Sequence, residues 1–225
     1  MHSLVQVIEH ARNRCWPPDA ILATGDLVHD PAPAAYARLS AILKTLDRPV
    51  YCIPGNHDEP VLMRRLLESA TISMAKTILF DHWIIIMLDS FLAGTHAGCL
   101  GASELGCLEQ TLTDHPDRHA LLCLHHPPVS IGSPWMDRMG LLNPDDLFSI
   151  VDHHPQVRGI LWGHIHQEFN GARNSVHLMA APSTCVQFTP HSDGYIKDTS
   201  APGYRWLQLY DTGEIRSEIH RVPVT

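Results

Sequence analysis

The sequence predicts one α/β domain over residues 1–225, a sandwich that sets a mixed sheet against a more antiparallel one. Three observations predict it. Short apolar runs alternate with helix-period segments as far as Trp162. Beyond that point, paired extended segments are separated by turn residues. No composition shift, internal repeat or low-complexity linker divides the chain, and its length suits a single sizeable core.

The elements follow in order. Leu4, Ile8 and Ala11 make one apolar face, Ser3 and Gln6 can form a capping box, and Trp16-Pro17-Pro18 stops this first helix. Ala20–Thr24 reads as a buried strand ending at Gly25-Asp26. Asp30 and Pro31 supply a cap and a first-turn residue for a helix with Tyr36, Leu39, Leu43 and Leu46 inward. Pro49–Ile53 is a second strand, followed by Pro54-Gly55-Asn56-His57-Asp58 and a helix that Pro60 opens. Strands are expected around Thr77–Phe80 and Trp83–Leu88, then a helix capped by Ser103 with Leu105, Leu108 and Leu112 inward. Ala120–Leu124 is a buried strand running into His125-His126-Pro127-Pro128. Asn143-Pro144 starts a helix, and Gly159–Trp162 leads into Gly163-His164-Ile165-His166. The tail reads as two hairpins, Glu168–Ala172 with Val176–Ala180, and Tyr204–Tyr210 with Glu214–Arg221.

Composition excludes several functions. A net charge of −8 argues against binding a nucleic-acid polymer non-specifically. No apolar run is long enough for a bilayer, and the start does not read as a signal peptide, so no membrane partner is expected. The six cysteines form no C-x-x-C pair, and Cys52 and Cys123 sit inside apolar runs, which reads as a reduced, cytoplasmic protein. Histidine is abundant, at 17 residues, so position must select any ligands.

Position does select. In an extended segment residues two apart share a side, so His164 and His166 offer two imidazoles to one point. Four strand ends carry ligand-type residues: Asp26, Asn56 with His57, His125, and His164 with His166. Ligands of α/β proteins gather at the carboxyl ends of strands. A set of carboxylate, amide oxygen and imidazole, with no thiolate, favours Mn, Fe or Zn.

The order Gly-Asp, Gly-Asn-His-Asp, His, Gly-His-x-His resembles the calcineurin-like metallophosphoesterases over most of the chain. The resemblance implies a four-layer αββα sandwich, two mixed sheets flanked by helices, and two divalent metal ions, Fe²⁺ or Mn²⁺. Carried over by motif, Asp26 bridges the metals, Asn56, His125 and His164 complete the second site, and His166 serves the first. Asp26, Asn56, His57 and His166 then contact substrate. His57 resembles the catalytic histidine near the leaving group, with Asp58 as its orienting partner. His125 is preferred to His126 because the family's ligand stands two residues before the proline, which leaves His126 a rim or supporting role. The lone residues His2, His10, His29, His82, His96 and His220 read as non-ligands.

Two further stretches narrow the resemblance. Ala181–Phe188 with Ala201-Pro202-Gly203-Tyr204, and Leu124–Pro128 with Trp135-Met136-Asp137, are similar to the bacterial 3′,5′-cyclic AMP phosphodiesterases. That implies hydrolysis of cyclic AMP to 5′-AMP by metal-activated water, lowering cellular cyclic AMP, with a small cyclic nucleotide as partner. The Ser183–Phe188 run reads either as a core strand or as a pocket wall. Two alternatives stand beside this reading: a broader phosphodiesterase acting on small diesters such as glycerophosphodiesters, and a non-catalytic scaffold of the same fold. Against the scaffold, every downstream ligand is intact.

One departure is plain. The family opens with Asp-x-His after a first strand, whereas only Met1 and His2 precede the first helix here. Asp117-Arg118-His119 and Asp152-His153-His154 match the letters but precede strands instead of following them. The first strand and part of the first metal's ligand set are therefore expected to be missing, with only the second site fully encoded and the natural start upstream.

Overall fold

The computed structural model describes residues 2–223. The chain runs α1 (His2–Arg14), β1 (Ile21–Thr24), α2 (Pro33–Lys44), β2 (Val50–Ile53), α3 (Pro60–Leu67), β3 (Ile72–Ser73), β4 (Thr77–Leu79), β5 (Trp83–Met87) and α4 (Ala102–Asp114). It continues through β6 (His119–Leu124), α5 (Pro134–Asp137), α6 (Pro144–His153), β7 (Val157–Trp162), β8 (Phe169–Arg173) and β9 (Val176–Ala180). The last elements are β10 (Gln187–Phe188), β11 (Lys197–Asp198), β12 (Gly203–Leu209) and β13 (Ile215–Arg221).

A six-stranded mixed sheet has the order β4-β5-β6-β7-β9-β8, parallel from β5 to β9 and antiparallel at both edges. Its central strands are buried on both faces, which is why their sequences are unbroken apolar runs. On one face Ile84, Ile86, Leu122, Ile160 and Trp162 pack with Leu108 and Leu112 of α4 and Leu147 and Val151 of α6. On the other, Ile85, Met87, Leu121, Cys123 and Leu161 meet Ile53 of β2 and Ile215 of β13. A third cluster joins Tyr36, Leu39, Leu43, Met63 and Leu67 of α2 and α3 to Val50 and Cys52, with Leu4 and Ile8 of α1 against it. Each such aliphatic side chain contributes about 1.5–3 kcal/mol by leaving water. The layers are therefore helices, strands, strands, helices, the expected αββα sandwich.

The second strand layer departs from the expectation of one mixed sheet. It consists of a parallel three-stranded sheet, β1-β2-β3, and a separate antiparallel ribbon, β12-β13. Among the described residues no strand joins β1 to β12. A cleft of about 890 Å³ lies between them, lined continuously by residues 21–27 and 203–209. Leu4, Val7 and Ile8 of α1 wall one side, and Trp83, Ile85 and Leu121 of the six-stranded sheet wall the other. Its rim carries Asp26, His164 and His166.

Several helix starts also differ. Ser3 lies inside α1, already helical at His2, so the Ser3–Gln6 box does not form its start. Helix α2 begins at Pro33 with Ala32 as its cap residue, two positions beyond the expected Pro31. Helix α4 begins after Gly101, which stands as cap residue two positions ahead of the expected Ser103. Asn143 does precede α6, but its amide is spent on both backbone groups of Leu100 and on Asp146. Pro60 opens α3 as expected, and Glu59 caps it by accepting from Val61 N and Leu62 N.

Candidate metal centre

Parallel pairing brings the ligand-bearing strand ends together. Thr24 pairs with Ile53, so Asp26 and Asn56 leave neighbouring strands at the same height. Leu124 pairs with Trp162, which does the same for His125 and His164. The loop after β1 turns sharply, with Gly25 at φ 92° and Asp26 at φ 53°. His164 and His166 also hold left-handed backbone, at φ 62° and 51°. Each such non-glycine residue costs about 1–3 kcal/mol, strain that typically gathers at functional sites. Gly55 is required for another reason: a Cβ there would stand 2.2 Å from Asp26 Oδ1 and 2.3 Å from Asp26 N.

The side chains converge on the Nε2 of His125, whose ring is fully buried. Its Nδ1 lies 2.7 Å from the carbonyl of Thr24, which can only accept, so Nδ1 carries a proton. Nε2 then faces Asp26 Oδ1 at 3.3 Å, Asn56 Oδ1 at 3.2 Å and His164 Nδ1 at 3.2 Å. Two oxygens and two ring nitrogens crowded this closely repel one another unless a proton or a cation sits among them. Burial alone would lift the Asp26 carboxyl, but the charge and hydrogen bond of His125 and the His57 N–H hold it well below the usual carboxylate range. Burial works against protonating His125, and Asp26 overcomes it and raises that ring's pKa. His164 is driven far below the ordinary imidazole value, first by burial and then by His125 and His126. Its Nε2 is buried without a partner. A carboxylate oxygen, an amide oxygen and two imidazole nitrogens with such an orphaned atom fit a divalent transition metal.

Of the rim or supporting role expected for His126, burial excludes the rim. His126 is fully buried, and one ligand atom each from His125, His126 and His164 lie within 4.8 Å of one another. Its Nδ1 pairs with Ser90 Oγ at 2.8 Å while Nε2 has no partner. Burial, helped by His125, holds its pKa down to about 3. A His-His-Pro string does not reveal that the second ring also turns inward. His166 stands outside this close group. Its Nδ1 donates to Val186 O at 2.8 Å and its ring stacks on Phe188 at 4.2 Å. The Ser183–Phe188 stretch is divided: Ser183 and Thr184 line the cleft, and Gln187–Phe188 forms strand.

His57 sits at the mouth. Its backbone N–H donates to Asp26 Oδ1 at 2.9 Å, and its ring lies between His29 and His96, at 4.9 and 5.9 Å. The expected pairing with Asp58 is not formed. The Asp58 carboxylate is 3% exposed and accepts from Gly55 N at 2.9 Å, Leu27 N at 3.1 Å and Tyr36 Oη at 3.0 Å. Burial raises its pKa. Asp58 ties the loops after β1 and β2 together, while His57 Nδ1 is held by the carbonyl of His29. Residue letters carry no signal for a backbone carbonyl partner, so this contact was invisible in the sequence.

Residues 1–168 match the family described as Calcineurin-like phosphoesterase. The chain belongs to that family. It is 41% identical over 221 residues to the "3′,5′-cyclic adenosine monophosphate phosphodiesterase CpdA" of Pseudomonas aeruginosa, covering 98% of this chain and 81% of that protein. The protein of the same description from Escherichia coli K12 is 41% identical over 208 residues, covering 92% and 76%. A "3′,5′-cyclic-nucleotide phosphodiesterase" from Nostoc is 40% identical over 205 residues, covering 91% and 77%. Among solved structures, a dimetal phosphatase from Danio rerio has the same fold, with a TM-score of 0.63 at 16% identity, covering 100% of this chain and 89% of that one. The anchor protein GAP50 of Plasmodium also shares the fold, at TM-score 0.68 and 11% identity, covering 100% and 84%. No described helix is long and apolar enough to cross a membrane.

Proposed function

We propose that this calcineurin-like phosphoesterase hydrolyses 3′,5′-cyclic AMP to 5′-AMP with divalent metal held by Asp26, Asn56, His125 and His164. His166, with Asp26, would hold a second ion, and Fe²⁺ or Mn²⁺ suits this oxygen and imidazole set. The supporting observation is the convergence of four ligand atoms on one point beside the half-buried imidazole of His57. The roughly 40% identity to cyclic-nucleotide phosphodiesterases supports the substrate class.

Bound divalent metal supplies Lewis-acid polarisation of phosphoryl oxygens and makes water acidic enough to be a nucleophile near neutral pH. The chain's own residues supply the rest. Hydrolysis forms a bond from water oxygen to phosphorus and breaks the bond from phosphorus to the 3′ oxygen, which must leave with a proton. His57 donates Nδ1–H to the His29 carbonyl, so Nε2 is the nitrogen that can deliver that proton. Asp26 accepts from the His57 backbone, which fixes the acid's distance from the metal-binding carboxylate.

The test is metal content after loading with Mn²⁺ or Fe²⁺, with rates on cyclic AMP, cyclic GMP and glycerophosphoethanolamine. Retained metal and preferential cyclic AMP turnover, both lost in Asp26→Asn, are expected. Metal-independent turnover, or preference for the glycerophosphodiester, overturns the reading. Absence of both metal and turnover favours the scaffold.

A further inference from the structure

We propose that His96 is a positioning residue that holds the amide of Asn56 with its oxygen, and not its nitrogen, toward the metal. The inference rests on the metal-centre reading above. The two ends of an asparagine amide have nearly the same shape, but only the oxygen has lone pairs to give a cation. Nothing within the residue itself prevents the flip that would aim NH₂ at the ion. The environment must therefore choose.

Here the choice is made by one contact on each end. Asn56 Oδ1 lies 3.2 Å from His125 Nε2, inside the ligand cluster. Asn56 Nδ2 lies 3.1 Å from His96 Nδ1. With the oxygen toward the cation site, the amide nitrogen donates to His96 Nδ1, which accepts in the tautomer that carries its proton on Nε2. Flipping the amide would turn two N–H groups on the cation site and would keep the His96 contact only if the ring moved its proton from Nε2 to Nδ1.

His96 is exposed, and an exposed side chain is a poor guide unless its backbone is fixed. Its loop is fixed. Ala97 N donates to Thr95 Oγ1 at 3.0 Å, and Ala97 and Gly98 are buried. Gly98 N donates to Gly140 O at 3.1 Å, and Gly98 O accepts from Leu142 N at 2.7 Å. A Cβ on Gly98 would stand 2.2 Å from Nδ1 of His126, so the glycine lets the loop lie flat against that buried ring. The His126 ring is in turn held by Ser90. The same histidine cluster thus seats the loop that orients the ligand from outside.

Mn²⁺ binding to the folded chain, followed by calorimetry and electron paramagnetic resonance, tests this without relying on turnover. His96→Ala should weaken Mn²⁺ binding about 10–100-fold, the usual effect of removing a group that orients a ligand. His96→Gln, which can still accept through an oxygen, should recover most of the affinity. In an Asn56→Asp background both ends of the side chain are oxygen, so there His96→Ala should leave affinity unchanged. Equal affinities of wild type and His96→Ala overturn the inference while leaving the metal centre standing. So does an equal loss in both backgrounds, which would mark His96 as merely structural. If wild type binds no Mn²⁺, the metal-centre reading falls and takes the inference with it.

Discussion

The Nδ1 of His57 lies 3.0 Å from the carbonyl oxygen of His29, and a carbonyl oxygen can only accept. The ring is therefore anchored by its Nδ1–H, and Nε2 points away from the anchor as the nitrogen free for proton transfer. A general acid of this kind contributes about 10²–10⁴-fold. His57→Ala should lose turnover within that range while keeping its metal, as measured by cyclic AMP hydrolysis alongside metal content. Full activity in the variant removes His57 from the chemistry.

Asp58 is expected to matter for stability. Its carboxylate satisfies two backbone N–H groups and the hydroxyl of the fully buried Tyr36. Asp58→Ala strands three donors, and leaving buried groups unsatisfied costs about 2–4 kcal/mol in all after partial relaxation. The measurement is the urea midpoint in the presence of chelator. An unchanged midpoint with lost activity would return Asp58 to the catalytic role that its place after His57 suggests.

Gly55→Ala should abolish metal binding with little change in fold. The added methyl would collide with Asp26 Oδ1 and Asp26 N, so the carboxylate must swing out of the cluster. Mn²⁺ titration against circular dichroism separates the two effects. Normal Mn²⁺ affinity would show that the loops have slack the geometry does not suggest.

Acid should destabilise the metal-free chain. His126, His164 and His166 are all held below the ordinary imidazole value, chiefly by burial, His126 down to about 3. Between that value and about 6.5 the unfolded chain binds more protons than the folded one, so stability rises with pH and is lost on acidification. His125, raised by Asp26, acts above about 6.5 in the opposite sense, and the raised carboxyl of Asp58 partly offsets the loss. Four lowered imidazoles, His220 included, against two raised carboxyls, Asp58 and Asp89, make the urea midpoint at pH 5 lower than at pH 7.5. An equal or higher midpoint at pH 5 would mean that these rings are not buried in neutral form.

Much of this was legible beforehand because strand ends are legible. An apolar run that stops at Gly-Asp, Gly-Asn-His, His-His or Gly-His-x-His names both an element and what it delivers. Asp26, Asn56, His125 and His164 meet as their positions implied. The caps were less legible: Asp30 and Ser103 carry capping side chains while their helices begin elsewhere, and Asn143 precedes α6 as expected without its side chain capping it. Asp58 was misread because its neighbour in sequence is His57, whereas its partner in space is Tyr36, brought over by α2. His96 and His126 gave no sign, because nothing local distinguishes a ring that packs against a glycine from one in water.

By itself, the sequence determined an α/β sandwich and the strand ends that carry Asp26, Asn56, His125 and His164, while the αββα layering was implied by the family resemblance. Periodicity and residue chemistry are local properties, written in the order of the chain. Only the tertiary structure decided that Asp58 braces two loops, that a backbone carbonyl anchors His57, that β1 and β12 stand apart across a cleft, and which way the Asn56 amide faces. Those are relations between groups distant along the chain, and hydrogen-bond directions exist only once the chain has closed on itself.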